Sequence, residues 1–138
     1  MFNPSSDLTA IQKILLADVT ILSLLNLTSA TPLDRTKKII RESRWNDLAT
    51  SERRLNLYFI PSRKTRNESF NGEVIQFDCH VPAGYGFYAY QIQEQIYQLL
   101  HKQKVNNRYM YFEGQLGELP TMPGFFCCGS RYTFSRLI

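Results

Sequence analysis

Val74-Ile75-Gln76-Phe77-Asp78-Cys79-His80-Val81-Pro82-Ala83-Gly84-Tyr85-Gly86-Phe87-Tyr88-Ala89-Tyr90-Gln91-Ile92-Gln93-Glu94-Gln95-Ile96-Tyr97-Gln98-Leu99-Leu100 holds two periodicities in one run. Ile75, Phe77, Cys79 and Val81 alternate with Gln76, Asp78 and His80, the period of a strand with one apolar face. After Pro82-Ala83-Gly84 the spacing changes. Tyr88, Ile92, Ile96, Leu99 and Leu100 repeat at three and four, with Gln91, Gln93, Glu94, Gln95 and Gln98 mostly on the other side. That is an amphipathic helix over Tyr88–Leu100, running on to His101–Lys104, where cations suit the negative end of its dipole.

Upstream, Leu55, Leu57 and Phe59 alternate with Asn56 and Tyr58, which predicts a strand ended by Pro61. Asn71-Gly72 is a hairpin signal, so residues 61–72 read as a polar, flexible hairpin loop. At the start of the chain, Asp7 is placed to cap a helix opening at Leu8, with Leu8, Ile11, Ile14 and Leu15 on its apolar stripe. Asp18 is placed to cap a second short helical segment that stops near Leu27. Pro32 disfavours helical geometry at Thr31. Residues 33–54 read as an irregular basic connection, with Lys38-Ile39-Ile40-Arg41 as a short strand. Downstream, Tyr109–Glu113 predicts a strand and Gly114–Gly124 a long connection. Phe126, Cys128, Tyr132, Phe134 and Ile138 share one face of the last strand, with Arg131, Thr133 and Ser135 on the other.

The order helix, strands, helix, strands predicts an α+β fold, a mostly antiparallel β-sheet with two main helices packed on one face. A length of 138 residues fits a single domain over 1–138, and 43% apolar residues suffice for a core without disulfide or metal. The three cysteines lack CxxC spacing. No secretory signal is visible, and the apolar run Ile14–Leu27 is too short to span a bilayer, so the chain reads as cytoplasmic.

Charge is unevenly spread. Ten of the sixteen Lys and Arg residues lie between Arg35 and Arg66, against three acids, a local balance of +7 in a chain of net +4. Arg35, Lys37, Lys38, Arg41, Arg44, Arg53, Arg54, Arg63, Lys64 and Arg66 therefore form a candidate contact surface for a polyanion or an acidic partner. Trp45, beside Arg44, either anchors a partner contact or folds over the sheet edge.

Chemistry is not visible. Cys79–His80 and Cys127–Cys128 are adjacent in strands, so each pair splits between opposite faces, too few convergent ligands for a zinc cage. No phosphate loop, zinc-protease or nucleophile-elbow motif occurs. Gly84-Tyr85-Gly86-Phe87-Tyr88 is a near-match to the aromatic strand of RNA-recognition modules. The order fails, however, because no helix separates it from Leu57-Tyr58-Phe59-Ile60. Tyr85, Phe87 and Tyr88 read instead as anchors of the helix start.

The layout resembles the tail terminator (tail completion) proteins of long-tailed bacteriophages. The features that carry it are the opening Leu8–Leu25 helices with the mid-helix Asp18, the strand Leu55–Ile60, the run Val74–Val81 leading into the helix Tyr88–Leu100, and a final strand pair containing Gly124-Phe125 and Arg131-Tyr132-Thr133-Phe134. The basic Leu33–Arg54 stretch is longer than that pattern. The resemblance implies a virion protein of the tail or neck that forms a ring, usually a hexamer, at the head-proximal end of the tail tube. There it stops tube polymerisation and joins the head connector. Its implied partners are copies of itself, the tail tube protein, the head-completion protein and genome DNA in the lumen, with no enzyme activity, cofactor or membrane. Two alternatives remain. One is a head-completion or connector-adaptor protein. The other is a small nucleic-acid-binding module using the basic segment with Tyr85, Phe87 and Trp45.

Overall fold

A computed structural model of the chain describes residues 4–44, 48–60 and 73–135. Its helices are α1 (Pro4–Leu16), α2 (Val19–Leu24), α3 (Pro32–Lys38) and α4 (Gly86–Leu100). Its strands are β1 (Ile39–Ile40), β2 (Arg54–Ile60), β3 (Glu73–Pro82), β4 (Gln103–Val105), β5 (Arg108–Leu119) and β6 (Phe125–Ser135). The fold is α+β. One six-stranded sheet has the order β1-β2-β3-β6-β5-β4, antiparallel except for the β1–β2 pair. The expected hairpin loop, 61–72, lies outside the described residues, as do Trp45 and Ile138.

The alternation in β3 sets the core. Ile75, Phe77, Cys79 and Val81 are fully buried against α4. Cys128, Tyr132 and Phe134 of β6 join them, and Phe77 meets Tyr132 edge to face at 5.3 Å between ring centres. α4 lies across β3 and β6 and buries Ala89, Ile92, Gln93, Ile96 and Leu100. Tyr88, expected on that stripe, is 39% exposed, because it lies at the margin of the buried face centred on Ala89, Ile92, Gln93 and Ile96. Gln93, expected outside, is buried. Its Nε2 donates to the Phe77 and Cys128 carbonyls at 3.0 and 3.2 Å, and its Oε1 accepts from Ser130 at 2.5 Å. An amide that satisfies two strand carbonyls and a hydroxyl is as well placed in a core as an aliphatic group.

α1 and α2 complete the helical layer. Asp18 caps α2 as expected, accepting from the Ile21 amide at 2.9 Å. Asp7 is not a cap. α1 starts earlier, with Pro4 in its first turn, and Asp7 is carried inward to a buried ion pair with Arg108. α3 replaces part of the expected irregular connection. Thr31 caps it through its hydroxyl, and Pro32 opens it, since proline is excluded from a helix interior but not from its first turn.

Two further boundaries differ. α4 stops at Leu100, and Lys102 takes a left-handed φ of 63°, so residues 103–105 form a strand and not a helix end. Asn106 and Asn107 (φ 49° and 66°) turn β4 tightly into β5, a geometry asparagine tolerates. β5 then runs to Leu119, where a loop was expected from Gly114. Register shifts at Phe112/Gly114 and Gln115/Gly117 let the glycines sit inside a bent strand.

Candidate functional site

The basic stretch is placed by its local partners. Arg35 donates from Nε to the Leu27 carbonyl at 3.0 Å and from Nη2 to that of Thr28 at 2.8 Å. Arg53 donates to the Leu24 carbonyl at 2.6 Å. These carbonyls lie at and beyond the end of α2, where cations are favoured, and that of Leu27 also accepts from the Ala30 amide at 3.1 Å. Lys38 pairs with Glu52 at 2.5 Å, and this hydrogen bond holds the Glu52 carboxyl below its usual range. Arg44 pairs with Glu42 at 2.5 Å. Arg54 is buried and, with Asn56, donates to the Arg44 carbonyl at 3.2 and 2.6 Å. Arg41 reaches the Thr9 hydroxyl at 2.6 Å, and Lys37 is exposed on α3. Thus Arg35, Lys38, Arg44, Arg53 and Arg54 bind the chain to itself. Arg63, Lys64 and Arg66 lie outside the described residues, as does Trp45.

Exposed aromatics gather at the head of α4. Tyr85, Phe87, Tyr88 and Tyr90 are 47%, 70%, 39% and 38% exposed. Tyr85 and Tyr88 lie 6.1 Å apart, and the Arg53 guanidinium stands 5.4 and 4.9 Å from their ring centres. Tyr85, Phe87 and Tyr88, expected to anchor the helix start, are instead exposed around it. They surround it with apolar surface, the composition of an interface hot spot.

The second face of β3 also departs from expectation. Gln76, Asp78 and His80 are not solvent-facing or free for contacts; all three are buried. Register places them between Tyr58, Asn56 and Arg54 of β2 and Arg131, Gly129 and Cys127 of β6. Asp78 accepts from the Tyr58 hydroxyl and from Gln76 Nε2, the latter at 2.7 Å, while Arg131 Nε donates to Gln76 Oε1 at 3.1 Å. The bent β5 brings Leu116 and Leu119 over Gly129, where a side chain would strike Leu119 and Asp78. Burial pushes the Asp78 carboxyl and the Tyr58 hydroxyl up. It holds the His80 imidazole down at about 4, with Arg54 adding repulsion.

The adjacent pairs split as strand geometry requires. Cys79 pairs with Cys128 across the sheet on the helix side, and His80 with Cys127 on the other. His80 Nδ1 lies 2.9 Å from Thr121 Oγ1, and Nε2 lies 3.8 Å from Cys127 Sγ. Sequence spacing gave no sign of this contact, which joins residues 41 and 47 positions apart. Burial raises the Cys127 thiol well above its usual range, so it is not poised as a nucleophile. Among the described residues no three of His, Cys, Asp and Glu converge as a metal-binding group. No helix among them is long and apolar enough to cross a membrane. No protein-family model matches the chain, and no curated protein matches it in sequence.

Proposed function

We propose that this chain is a structural virion protein of a phage tail or neck. In this reading it closes with copies of itself into a ring, a hexamer, at the head-proximal end of the tail tube. The ring ends tube polymerisation and joins the tail to the head connector. The observation that carries the proposal is the exposed cluster of Tyr85, Phe87 and Tyr88, with Arg53 over the two tyrosine rings. Aromatic surface of this kind is unfavourable in water and favourable against a neighbouring subunit. The element order supports the resemblance to tail terminators in its opening helices α1 and α2, the β2–β3 pair leading into α4 and the closing strands, with α3 and β1 added in the basic stretch. A closed ring requires two different patches that meet head to tail. The aromatic cluster supplies one of them.

Electron microscopy of tails assembled with and without the protein tests this role. Tubes should overgrow or vary in length when it is absent and carry a terminal ring when it is present. Tubes of unchanged, regular length would refute it. Phe87→Asp, at a 70% exposed position, should leave the melting temperature within about 2 °C and abolish ring closure. A ring that seats on the head connector and never on the tube would shift the assignment to a connector adaptor.

The same aromatics support a second reading, a stacking platform for single-stranded nucleic acid. It expects oligonucleotide affinity that falls steeply with salt and disappears in Tyr85→Ala/Phe87→Ala. Among the described residues the inward engagement of Arg35, Arg53 and Arg54 leaves fewer cations of the basic stretch for phosphate, which favours the ring.

A further inference from the structure

The two flanks of α4 differ. On one, Gln95 bonds Asp18 at the start of α2 at 3.2 Å. On the other, Phe87, Tyr90, Glu94 and Tyr97 follow at spacings of three and four, so they share one helix face, and all four are exposed. This face overhangs the outer strands. Tyr90 lies 5.7 Å from the Phe126 ring of β6, and Tyr97 lies 5.3 Å from the Phe112 ring of β5. β5 carries two more exposed acids, Glu113 and Glu118, beyond its short pairing with β4. Together α4 and residues 109–119 hold Glu94, Glu113 and Glu118 and no Lys or Arg. None of these acids meets a cation among the described residues. Lys102 and Lys104 lie toward β4, where Lys104 leans on the Tyr109 ring at 6.0 Å. The flank is therefore aromatic and negative.

The opposite edge of the same sheet is positive. β1 stands at the far end of the strand order from β5 and β4. There Lys37 and Arg41 are exposed, with Leu33 exposed on the same α3. Among the described residues Arg41 meets only the Thr9 hydroxyl. Of the acids nearby, Glu42 is paired with Arg44 and Glu52 with Lys38, which leaves Asp34 in the first turn of α3.

We infer that the aromatic, acidic flank of α4 and β5 docks on the α3–β1 edge of a second copy of this chain, with Glu94 and Glu118 facing Lys37 and Arg41 across the contact. The inference rests on the proposed ring and names the second of its two patches. The patches occupy opposite edges of one sheet, so the contact is head to tail, and a copy bound through one patch still offers the other. Exposed charge pairs by themselves stabilise little, so the rings supply the affinity. The charges decide which surfaces meet, because they penalise flank against flank and edge against edge. A polyanion could cover the positive edge and would leave the rings and acids bare, whereas a second copy covers both.

Sedimentation velocity of the full chain over a concentration series, at low and high salt, tests it. The wild type should associate past the dimer, and less strongly at high salt. Glu94→Lys/Glu118→Lys and Lys37→Glu/Arg41→Glu should each weaken association about tenfold or more with unchanged melting, because like charges then face each other. Mixed in equal amounts, the two variants should associate again, since the altered flank of one matches the altered edge of the other. Four results would each overturn the inference: a wild type that stays monomeric, association that stops at a dimer, variants that associate as well as the wild type, or a mixture that does no better than its components. Tubes of unchanged length in the protein's absence, with the rescue by mixing intact, would remove the tail role and keep this contact. Overgrown tubes with no rescue would do the reverse.

Discussion

Replacing Arg108 with alanine should unfold this protein more readily than any exposed substitution. Arg108 Nη2 pairs with the Asp7 carboxylate, and Nη1 lies 2.5 Å from Glu73 Oε1. Its guanidinium carbon stands 4.0 Å from the Phe134 ring centre. The side chains of Arg108 and Asp7 are 8% and 5% exposed, so both charges are removed from water. The partners are 101 residues apart in the chain, and the pair ties α1 to β5 and, through Glu73, to β3. An intact buried pair stabilises little over an apolar replacement. Removing one member leaves a buried charge that Asn106 alone, at 3.1 Å from Asp7 Oδ1, cannot neutralise. Arg108→Ala should therefore cost about 3–5 kcal/mol, the range for a broken buried pair. For a chain of this length that lowers the melting temperature by roughly 10 °C or more. Urea denaturation at neutral pH measures it. The companion variant Asp7→Leu/Arg108→Met should recover much of the loss, because the buried Asp7 charge is removed with its partner, and Glu73, whose side chain is 19% exposed, keeps contact with water. A cost below about 1 kcal/mol for Arg108→Ala, or a double variant as unstable as the sum of the singles, would refute the reasoning.

Two further outcomes follow from the polar side of the sheet. A Cβ at Gly129 would stand 2.6 Å from Leu119 Cδ1 and 2.7 Å from Asp78 Oδ1, so Gly129→Ala should cost about 1–3 kcal/mol in urea unfolding, whereas Gly114→Ala, with nothing within 4 Å, should cost much less. His80 should make the protein acid-sensitive. Its pKa falls from 6.5 to about 4 on folding, so between those values the unfolded chain binds more protons and stability drops as pH falls. The loss should reach about 2–3 kcal/mol, and His80→Gln should flatten the slope in this window. Asp78 acts in the opposite sense. Its raised pKa favours folding at low pH and offsets part of the His80 loss below the point where it protonates.

Much of the fold was legible because local periodicity reports local burial. The β3 alternation and the α4 stripe each arise from one element meeting one core. The Asp18 cap was legible because capping is a contact within three residues. What failed is instructive in kind. Asp7 has the residue type of a cap, but its fate was set by Arg108 at the far end of the chain. Gln93 is polar, but two strand carbonyls made a buried place for it. Pro32 keeps Thr31 extended, as expected, but residues 33–54 read as irregular although the same proline opens α3, since a first helical turn accepts proline. The glycines of β5 looked like loop because a bent strand and a loop share composition until the register of the neighbouring strand is known.

The candidate surfaces divide in the same way. Sequence located the positive charge between Arg35 and Arg66 and the aromatics between Tyr85 and Tyr90, because composition is a property of the chain alone. It also determined that Cys79 and His80, and Cys127 and Cys128, point apart, because strand geometry is local. Only the tertiary structure decided which of those groups face water. It turned Arg35, Arg53 and Arg54 onto the chain's own carbonyls, left Phe87 and Tyr85 outside, and closed Leu116 and Leu119 over a polar row that alternation alone assigns to solvent. The physical reason is that exposure is settled by whichever distant segment arrives to cover a face. For β3 that segment is β5, whose bend depends on pairing with β6 and is written in no single stretch of residues.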